Sequence, residues 1–255
     1  MINIFESAFS LKNSKILVTG ASSGIGREIA ILAAKHGAFI YALARDNHKL
    51  NALKKIIGDK NCKTLSVDLT EKDSIKKFVD NEIESIDGLV NCAGLIKMSP
   101  YKFVNHDLYS EIFDLNVKAP IFLTTTLLKK RKIKNSGSII FISSINGSCI
   151  GAKGFTLYST SKGAISGLVK SLASDLSKLK IRVNEIAPGM INTDGINSIE
   201  ENISSSSVQE DNSNYPLGGY GYPDDVANGC IYLLSSASKW VTGIKLIIDG
   251  GFTLR

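Results

Sequence analysis

Lys15-Ile16-Leu17-Val18-Thr19-Gly20-Ala21-Ser22-Ser23-Gly24-Ile25-Gly26 decides the fold. A short apolar run leads into three glycines spaced Gly-x-x-x-Gly-x-Gly, and an amphipathic stretch over 25–36 follows. A continuous apolar run reads as a strand buried on both faces, and apolar spacings of three and four read as a helix. Glycines at such a junction let the chain turn sharply and let the backbone approach a ligand closely. The first N–H groups of the helix lack partners within it and lie at the positive end of its dipole, which suits a pyrophosphate. The strand–loop–helix order gives the glycine pattern its weight. Gly20, Ser22, Ser23, Gly24, Ile25 and Gly26 are therefore candidate cofactor-binding residues.

Outward from this junction the same alternation repeats. Further strands are expected at 38–44, 63–67, 88–91, 138–143, 182–186 and 244–248, mostly as continuous apolar runs. Helical segments lie between them, including 25–36 closed by Gly37 and 50–57 preceded by the cap candidates Asp46 and Asn47. Strands separated by helices predict β-α-β units with right-handed crossovers and a seven-stranded parallel sheet covered on both faces. At about 150 residues per domain, the 255 residues would suggest more than one domain, but no boundary or repeat interrupts the alternation. One α/β domain over 1–255 is expected. Residues 192–222 break the rhythm, being polar, weakly periodic and including Ser204-Ser205-Ser206-Ser207. They read as a mobile lid, with a plain surface insertion as the alternative.

Composition narrows the function. With 44% apolar and 21% charged residues the chain is not of the disordered class. No apolar stretch approaches a membrane span. Cys62, Cys92, Cys149 and Cys230 have no metal-ligand spacing, and His36, His48 and His106 form no cluster, so no metal is expected. A cytoplasmic location follows by elimination. The net charge of +6 raises nucleic acid as a partner, but no helix-turn-helix or aromatic–basic interleaving supports it. One dense basic run, Lys129, Lys130, Arg131, Lys132 and Lys134, reads either as a solvated helix end or as a docking patch for an acidic partner.

Tyr158-Ser159-Thr160-Ser161-Lys162 opens a helical stretch with apolar Ile165, Leu168, Val169, Leu172, Ala173 and Leu176. Residues four apart share a helix face, so Tyr158 and Lys162 point into the same space. A phenol has a reference pKa near 10, and a neighbouring ammonium favours its ionised form. Tyr158 is thereby a candidate general acid or base.

Asp68-Leu69, Asn91-Cys92-Ala93-Gly94, Asp114-Leu115-Asn116-Val117, Ser143-Ser144 and Pro188-Gly189 complete a series in fixed order. With the glycine loop and the Tyr158–Lys162 pair, they resemble the classical short-chain dehydrogenase/reductase family over essentially the whole chain. The resemblance implies a Rossmann-like doubly wound domain and an oxidoreductase of ketones and secondary alcohols. It implies Asn116, Ser144, Tyr158 and Lys162 as the catalytic set. Ser144 would bond the substrate oxygen, Tyr158 would transfer the proton, Lys162 would lower the Tyr158 pKa and bond the nicotinamide ribose, and Asn116 would hold a relay water. It further implies cofactor contacts at Asp68, Leu69, Asn91, Ala93, Gly94, Pro188, Gly189, Ile191 and Thr193. Cys92 stands where the family usually has asparagine.

The dinucleotide follows from the end of the second strand. The acid that would bond a ribose 2′-hydroxyl falls at Ala44, which is neutral, and Arg45 follows it. The planar arginine fork suits phosphate oxygens. NADP(H) is expected in preference to NAD(H), which stays the alternative; Asp46 reads as a helix cap. The stretch Pro216-Leu217-Gly218-Gly219-Tyr220-Gly221-Tyr222-Pro223-Asp224-Asp225-Val226 resembles that of 3-oxoacyl-acyl-carrier-protein reductases, with Gly219 in place of an arginine. A small-molecule or acyl-carrier-bound carbonyl substrate is therefore expected. The alternatives are a dehydrogenase of a sugar, steroid or other secondary alcohol, and a catalytically silent NADP(H)-sensing protein. The C-terminal Ile248-Asp249-Gly250-Gly251-Phe252 resembles family members that assemble as homotetramers.

Overall fold

β1 (Lys15–Thr19) lies near the middle of a parallel sheet in a computed structural model that describes residues 8–193 and 212–254. Its neighbours are β2 (Phe39–Ala44) and β4 (Ile86–Asn91). β3 (Cys62–Ser66) flanks β2, while β5 (Ile133–Ile142), β6 (Arg182–Pro188) and β7 (Lys245–Ile248) extend the other side. The order is β3-β2-β1-β4-β5-β6-β7, with seven strands and every pairing parallel. The strand order reverses direction between β1 and β4, and an open α/β sheet binds its ligand beside the carboxyl ends of strands at such a point.

Alternation along each strand divides the core. Ile16 and Val18 of β1 pack on one face with Ile29 and Ala33 of α1 (Gly24–Lys35), Leu50 and Leu53 of α2 (Asn47–Ile57), and Val226 and Cys230 of a C-terminal helix at Pro223–Leu234. Leu17 packs on the other face with Ile75 and Phe78 of α3 (Lys72–Glu82). That face also takes Leu123 of α5 (Ala119–Lys129) and Ile165 and Val169 of α6 (Thr156–Asp175). α4 (His106–Phe113) precedes α5, and the helix at Pro223–Leu234 is α7. Burying both faces is what makes these strands continuous apolar runs rather than alternating ones. Each fully buried Leu or Ile stabilises the fold by about 1.5–3 kcal/mol relative to exposure.

The expected strands all form, with shifted ends. β4 and β6 are longer than expected, and β5 begins at Ile133 rather than at 138. The segment 134–137 is polar and exposed up to Ser136, whose φ of 63° interrupts the strand pattern. α2 starts earlier than 50 because the Asp46 side chain accepts the Lys49 N–H at 3.0 Å and caps it. Asn116 sits in a π-helical turn at Asp114–Lys118 between α4 and α5.

Two other expectations meet the structure. In the basic run, Lys130 pairs with Asp80 at 2.9 Å and Lys134 with Asp87 at 2.9 Å, while Lys132 donates to the Ile83 carbonyl. These charges serve the junction of α5, β5 and α3. Of the polar segment 192–222, residues 194–211, including the four serines, lie outside the described residues. Its base is pinned by Asn192 N–H on the Gly221 carbonyl at 2.8 Å and Gly221 N–H on the Met190 carbonyl at 3.0 Å. Among the described residues no helix is long and apolar enough to cross a membrane.

Candidate active site

The carboxyl ends of β1, β2, β4, β5 and β6 open onto a cavity of about 490 Å³. The glycine loop forms its floor. Gly20 has φ 69°, and a Cβ there would lie 2.9 Å from Ala93 Cα, so both its conformation and its neighbour require glycine. Gly26 lets α1 sit directly on the Gly20 carbonyl. The Thr19 hydroxyl accepts the N–H groups of Cys92 and Ala93, each at 3.0 Å, and so ties the loop to the end of β4. At the start of α1, Ser23 makes no side-chain cap bond and the first turn carries no acid. The N–H groups at this terminus border the cavity, with no acid in the first turn to compete for them.

Arg45 is exposed and lines the cavity where β2 ends, near Asp68 after β3. The hydrogen bonds from the Thr70 hydroxyl at 2.7 Å and N–H at 2.9 Å, aided by the Arg45 charge, hold the Asp68 carboxyl below the usual range.

At the opposite end, Ser144, Tyr158 and Lys162 line the same cavity. Ser144 follows β5 and caps a short turn at Ile145–Ser148, accepting the Asn146 N–H at 3.1 Å. Tyr158 and Lys162 lie one turn apart on α6, and the Lys162 Nζ is 5.8 Å from the Tyr158 ring centroid. Burial pushes the Tyr158 phenol up to about 12, opposed by a hydrogen bond with Ser144. Burial also lowers the Lys162 ammonium to about 8. In the chain alone desolvation of the phenolate dominates, and the opposing influence is the Ser144 hydrogen bond rather than the Lys162 charge.

Two candidates do not face the cavity. Asn91 turns away from it, as alternation along β4 dictates, and its amide donates to the Thr124 hydroxyl at 3.3 Å. Asn116 stands behind the wall. Its Oδ1 accepts the Leu95 N–H at 2.7 Å, and its Nδ2 donates to the Leu95 carbonyl at 2.9 Å and the Ser161 hydroxyl at 3.0 Å. The expected cofactor contact of Asn91 is therefore corrected for its side chain, which lies away from the cavity. Asn116 stands one residue away from Tyr158 and Lys162, through Ser161. The other candidates, including Leu69, Gly94, Pro188, Gly189, Ile191 and Thr193, all line the cavity.

Residues 20–253 match the family described as enoyl-(acyl carrier protein) reductase. A Xenopus laevis protein named dehydrogenase/reductase SDR family member 6 is 34% identical over 96% of this chain and 99% of its own length. The chain belongs to the short-chain dehydrogenase/reductase family. It is an oxidoreductase of that family. The 3-oxoacyl-[acyl-carrier-protein] reductase of Vibrio harveyi is 31% identical over 95% of this chain and 98% of its own. Among solved structures, a candidate 2-deoxy-D-gluconate 3-dehydrogenase from Agrobacterium tumefaciens with bound NADP superimposes with a TM-score of 0.85. It is 32% identical, over 97% of this chain and 99% of its own. A candidate gluconate 5-dehydrogenase from Beutenbergia cavernae, also with NADP, gives a TM-score of 0.89 at 28% identity, over 98% and 100% of the two chains.

In this short-chain dehydrogenase/reductase the cavity wall also contains residues that sequence reasoning passed over. Cys92, Leu95, Ile96, Leu115 and Ile142 line it. The Cys92 thiol is pushed up to about 12 by burial, with the Lys162 charge acting the other way, so it is present as an inert thiol. Its signal in the sequence was the departure from the family's asparagine. Ile142 had none, because its contribution is a backbone carbonyl.

Proposed function

We propose that the chain reduces a ketone to a secondary alcohol with NADPH, and that 3-oxoacyl thioesters are its substrate class. The observation that carries this reading is one cavity holding the phosphate-cradling loop and Arg45 at one end, and Ser144, Tyr158 and Lys162 at the other. The residues fit such a dinucleotide. The α1 terminus with its uncapped N–H groups suits the pyrophosphate, and Arg45 in place of an acid suits a ribose 2′-phosphate. Asp68 and Leu69 fit beside the adenine, and Pro188, Gly189, Ile191 and Thr193 beside the nicotinamide. NADP bound in the two similar structures supports the same assignment.

When bound, NADPH supplies the hydride. The Tyr158 phenol gives its proton to the carbonyl oxygen of the substrate, and the Ser144 hydroxyl donates a hydrogen bond to that oxygen as charge develops on it. Lys162 holds positive charge beside the phenol and offers donors to ribose hydroxyls. Asn116, through Ser161, fixes the first turn of α6, and a relay water is assigned to this side of the site. A phenol pushed up to about 12 keeps its proton through the neutral range, so the form that meets a ketone is the protonated one.

Apolar side chains favour an acyl group. Ile96 lines the cavity, and Met98, Tyr101, Phe103 and Val104 continue from it as exposed apolar residues. Ser99 bridges to Phe155, whose ring meets the Tyr158 ring edge-on at 6.1 Å, so this apolar segment lies beside the proton donor. The ion pairs of Lys130 and Lys134 weigh against a carrier-protein dock on the basic run. A sugar-acid substrate is the second reading, favoured by the gluconate-type structural relatives. NADPH oxidation measured with an acetoacetyl thioester, beside keto-sugar acids and simple ketones, decides between them. Turnover confined to the keto-sugar acids would replace the acyl reading, and no turnover with any substrate would revive an NADP(H) sensor.

We assign the chain to the reducing cytoplasm, as one domain over 1–255. We also assign it to a homotetramer with β7 at an interface. Trp240, at 95% exposure, Leu254, at 84%, and half-exposed Ile244 and Ile247 leave apolar surface around β7 that a two-fold contact would cover. Light scattering at monomer mass would refute the tetramer.

A further inference from the structure

Glu185 is a buried carboxylate on β6 that the chemistry above does not use. It is 2% exposed, and a carboxylate in such a place is costly unless paired and hydrogen-bonded. Both conditions are met. The Ser166 hydroxyl on α6 reaches its two oxygens at 2.9 and 3.0 Å. The Lys245 ammonium on β7, paired with Glu185 in the β6–β7 register, lies 3.6 Å from Oε1.

The ammonium of Lys245 has a second engagement. It donates to the Ser148 carbonyl at 2.6 Å. Ser148 in turn donates its hydroxyl to the Ser144 carbonyl. Contacts therefore run without a break from Glu185 through Lys245 and Ser148 to the backbone of Ser144. On its other side the same turn rests against α6, where a Cβ at Gly163 would lie 2.7 Å from the Gly147 carbonyl. One carboxylate thus braces both the helix that carries Tyr158 and Lys162 and the turn that carries Ser144.

We infer that Lys245, fixed by Glu185, is a positioning residue for Ser144. Its ammonium anchors the Ser148 carbonyl and thereby sets where the Ser144 hydroxyl stands relative to Tyr158. This rests on the proposed role of Ser144 in carbonyl reduction. The arrangement has a physical logic: an ammonium held on one side by a buried carboxylate and bonded on the other to a carbonyl is fixed in place, so the turn it anchors inherits its rigidity. The glycine loop lies outside this network, so the pyrophosphate cradle does not depend on it.

The test is a double-mutant cycle on kcat for ketone reduction, with the KM for NADPH measured in each variant. Lys245→Met is expected to lower kcat roughly tenfold with the NADPH KM unchanged, since small misplacement of a catalytic group is expensive. In a Ser144→Ala background the same substitution is expected to change kcat by less than about twofold, because residues acting through one another are not additive. Lys245→Arg, which keeps the charge, is expected to recover part of the loss. Lys245→Met leaves Glu185 unpaired, so Glu185→Gln/Lys245→Met is measured with it. That variant removes both charges and is expected to keep its melting temperature while losing kcat equally. Multiplicative effects in the cycle, or wild-type kcat in the charge-free pair, would overturn the inference alone. Unchanged kcat in Ser144→Ala would overturn the role of Ser144, and with it the inference.

Discussion

The Lys162 ammonium donates to the Ile142 carbonyl at 2.9 Å, within a pocket where burial lowers its pKa from 10.5 to about 8. β5 thus holds the lysine by its backbone while the surrounding apolar wall penalises its charge. The position is destabilising to the fold and is occupied by the group proposed to hold charge beside Tyr158.

The linkage follows with a definite sign. Below about pH 8 Lys162 is charged in both folded and unfolded chains, and its burial costs the fold about 3 kcal/mol at about 1.4 kcal/mol for each tenfold change. From about pH 8 to 10.5 the unfolded chain keeps a proton that the folded chain gives up, so this penalty is relieved as pH rises. Lys162→Met is therefore expected to be more stable than the wild type at pH 7, by up to about 3 kcal/mol less the lost bond to Ile142. The gap should shrink toward pH 10.5. Urea denaturation at several pH values measures it, and a gap of opposite sign or independent of pH would contradict the arrangement.

Tyr158→Phe removes one hydroxyl from a buried ring. The reduction rate should fall by about 10²–10⁴ for loss of a positioned proton donor. The NADPH KM should hardly move, since the ring itself remains. Steady-state kinetics with the best substrate of the panel provide the check, and turnover near the wild-type rate would remove Tyr158 from the mechanism.

Arg45→Ala separates the two dinucleotides. The guanidinium is exposed at the cavity edge and is not a core residue, so the fold should be unaffected. The KM for NADPH should rise by about tenfold or more, as expected when a charge-assisted phosphate contact is lost, while the KM for NADH stays the same. Equal changes for both cofactors would mean that Arg45 does not read the 2′-phosphate.

Gly20→Ala is disfavoured twice, by a φ of 69° and by a Cβ 2.9 Å from the Ala93 backbone. A loss of about 1–2 kcal/mol from the left-handed conformation alone is expected, with further cost from the contact. NADPH binding followed by fluorescence should weaken at a temperature where the variant remains folded. Wild-type stability together with wild-type affinity would show that the loop does not need this geometry.

By itself the sequence determined the alternating architecture and the phosphate-cradling loop. Those are local signals: apolar runs, periodicity and glycines lie within a few residues of one another. It also placed Tyr158 and Lys162 on one face, because helix periodicity alone does that. Tertiary structure decided what depends on distant neighbours. Asn91 faces α5 instead of the cavity, and Asn116 reaches the site through Ser161 and the Leu95 backbone. Lys130 and Lys134 read as free charge until the fold brings Asp80 and Asp87 to them. Glu185 and Lys245 are ordinary charged residues in the sequence, and the β6–β7 register makes them partners. Burial, too, is a property of the assembled layers: it moves Tyr158 up and Lys162 down, and no reading of their spacing contains the dielectric that does so.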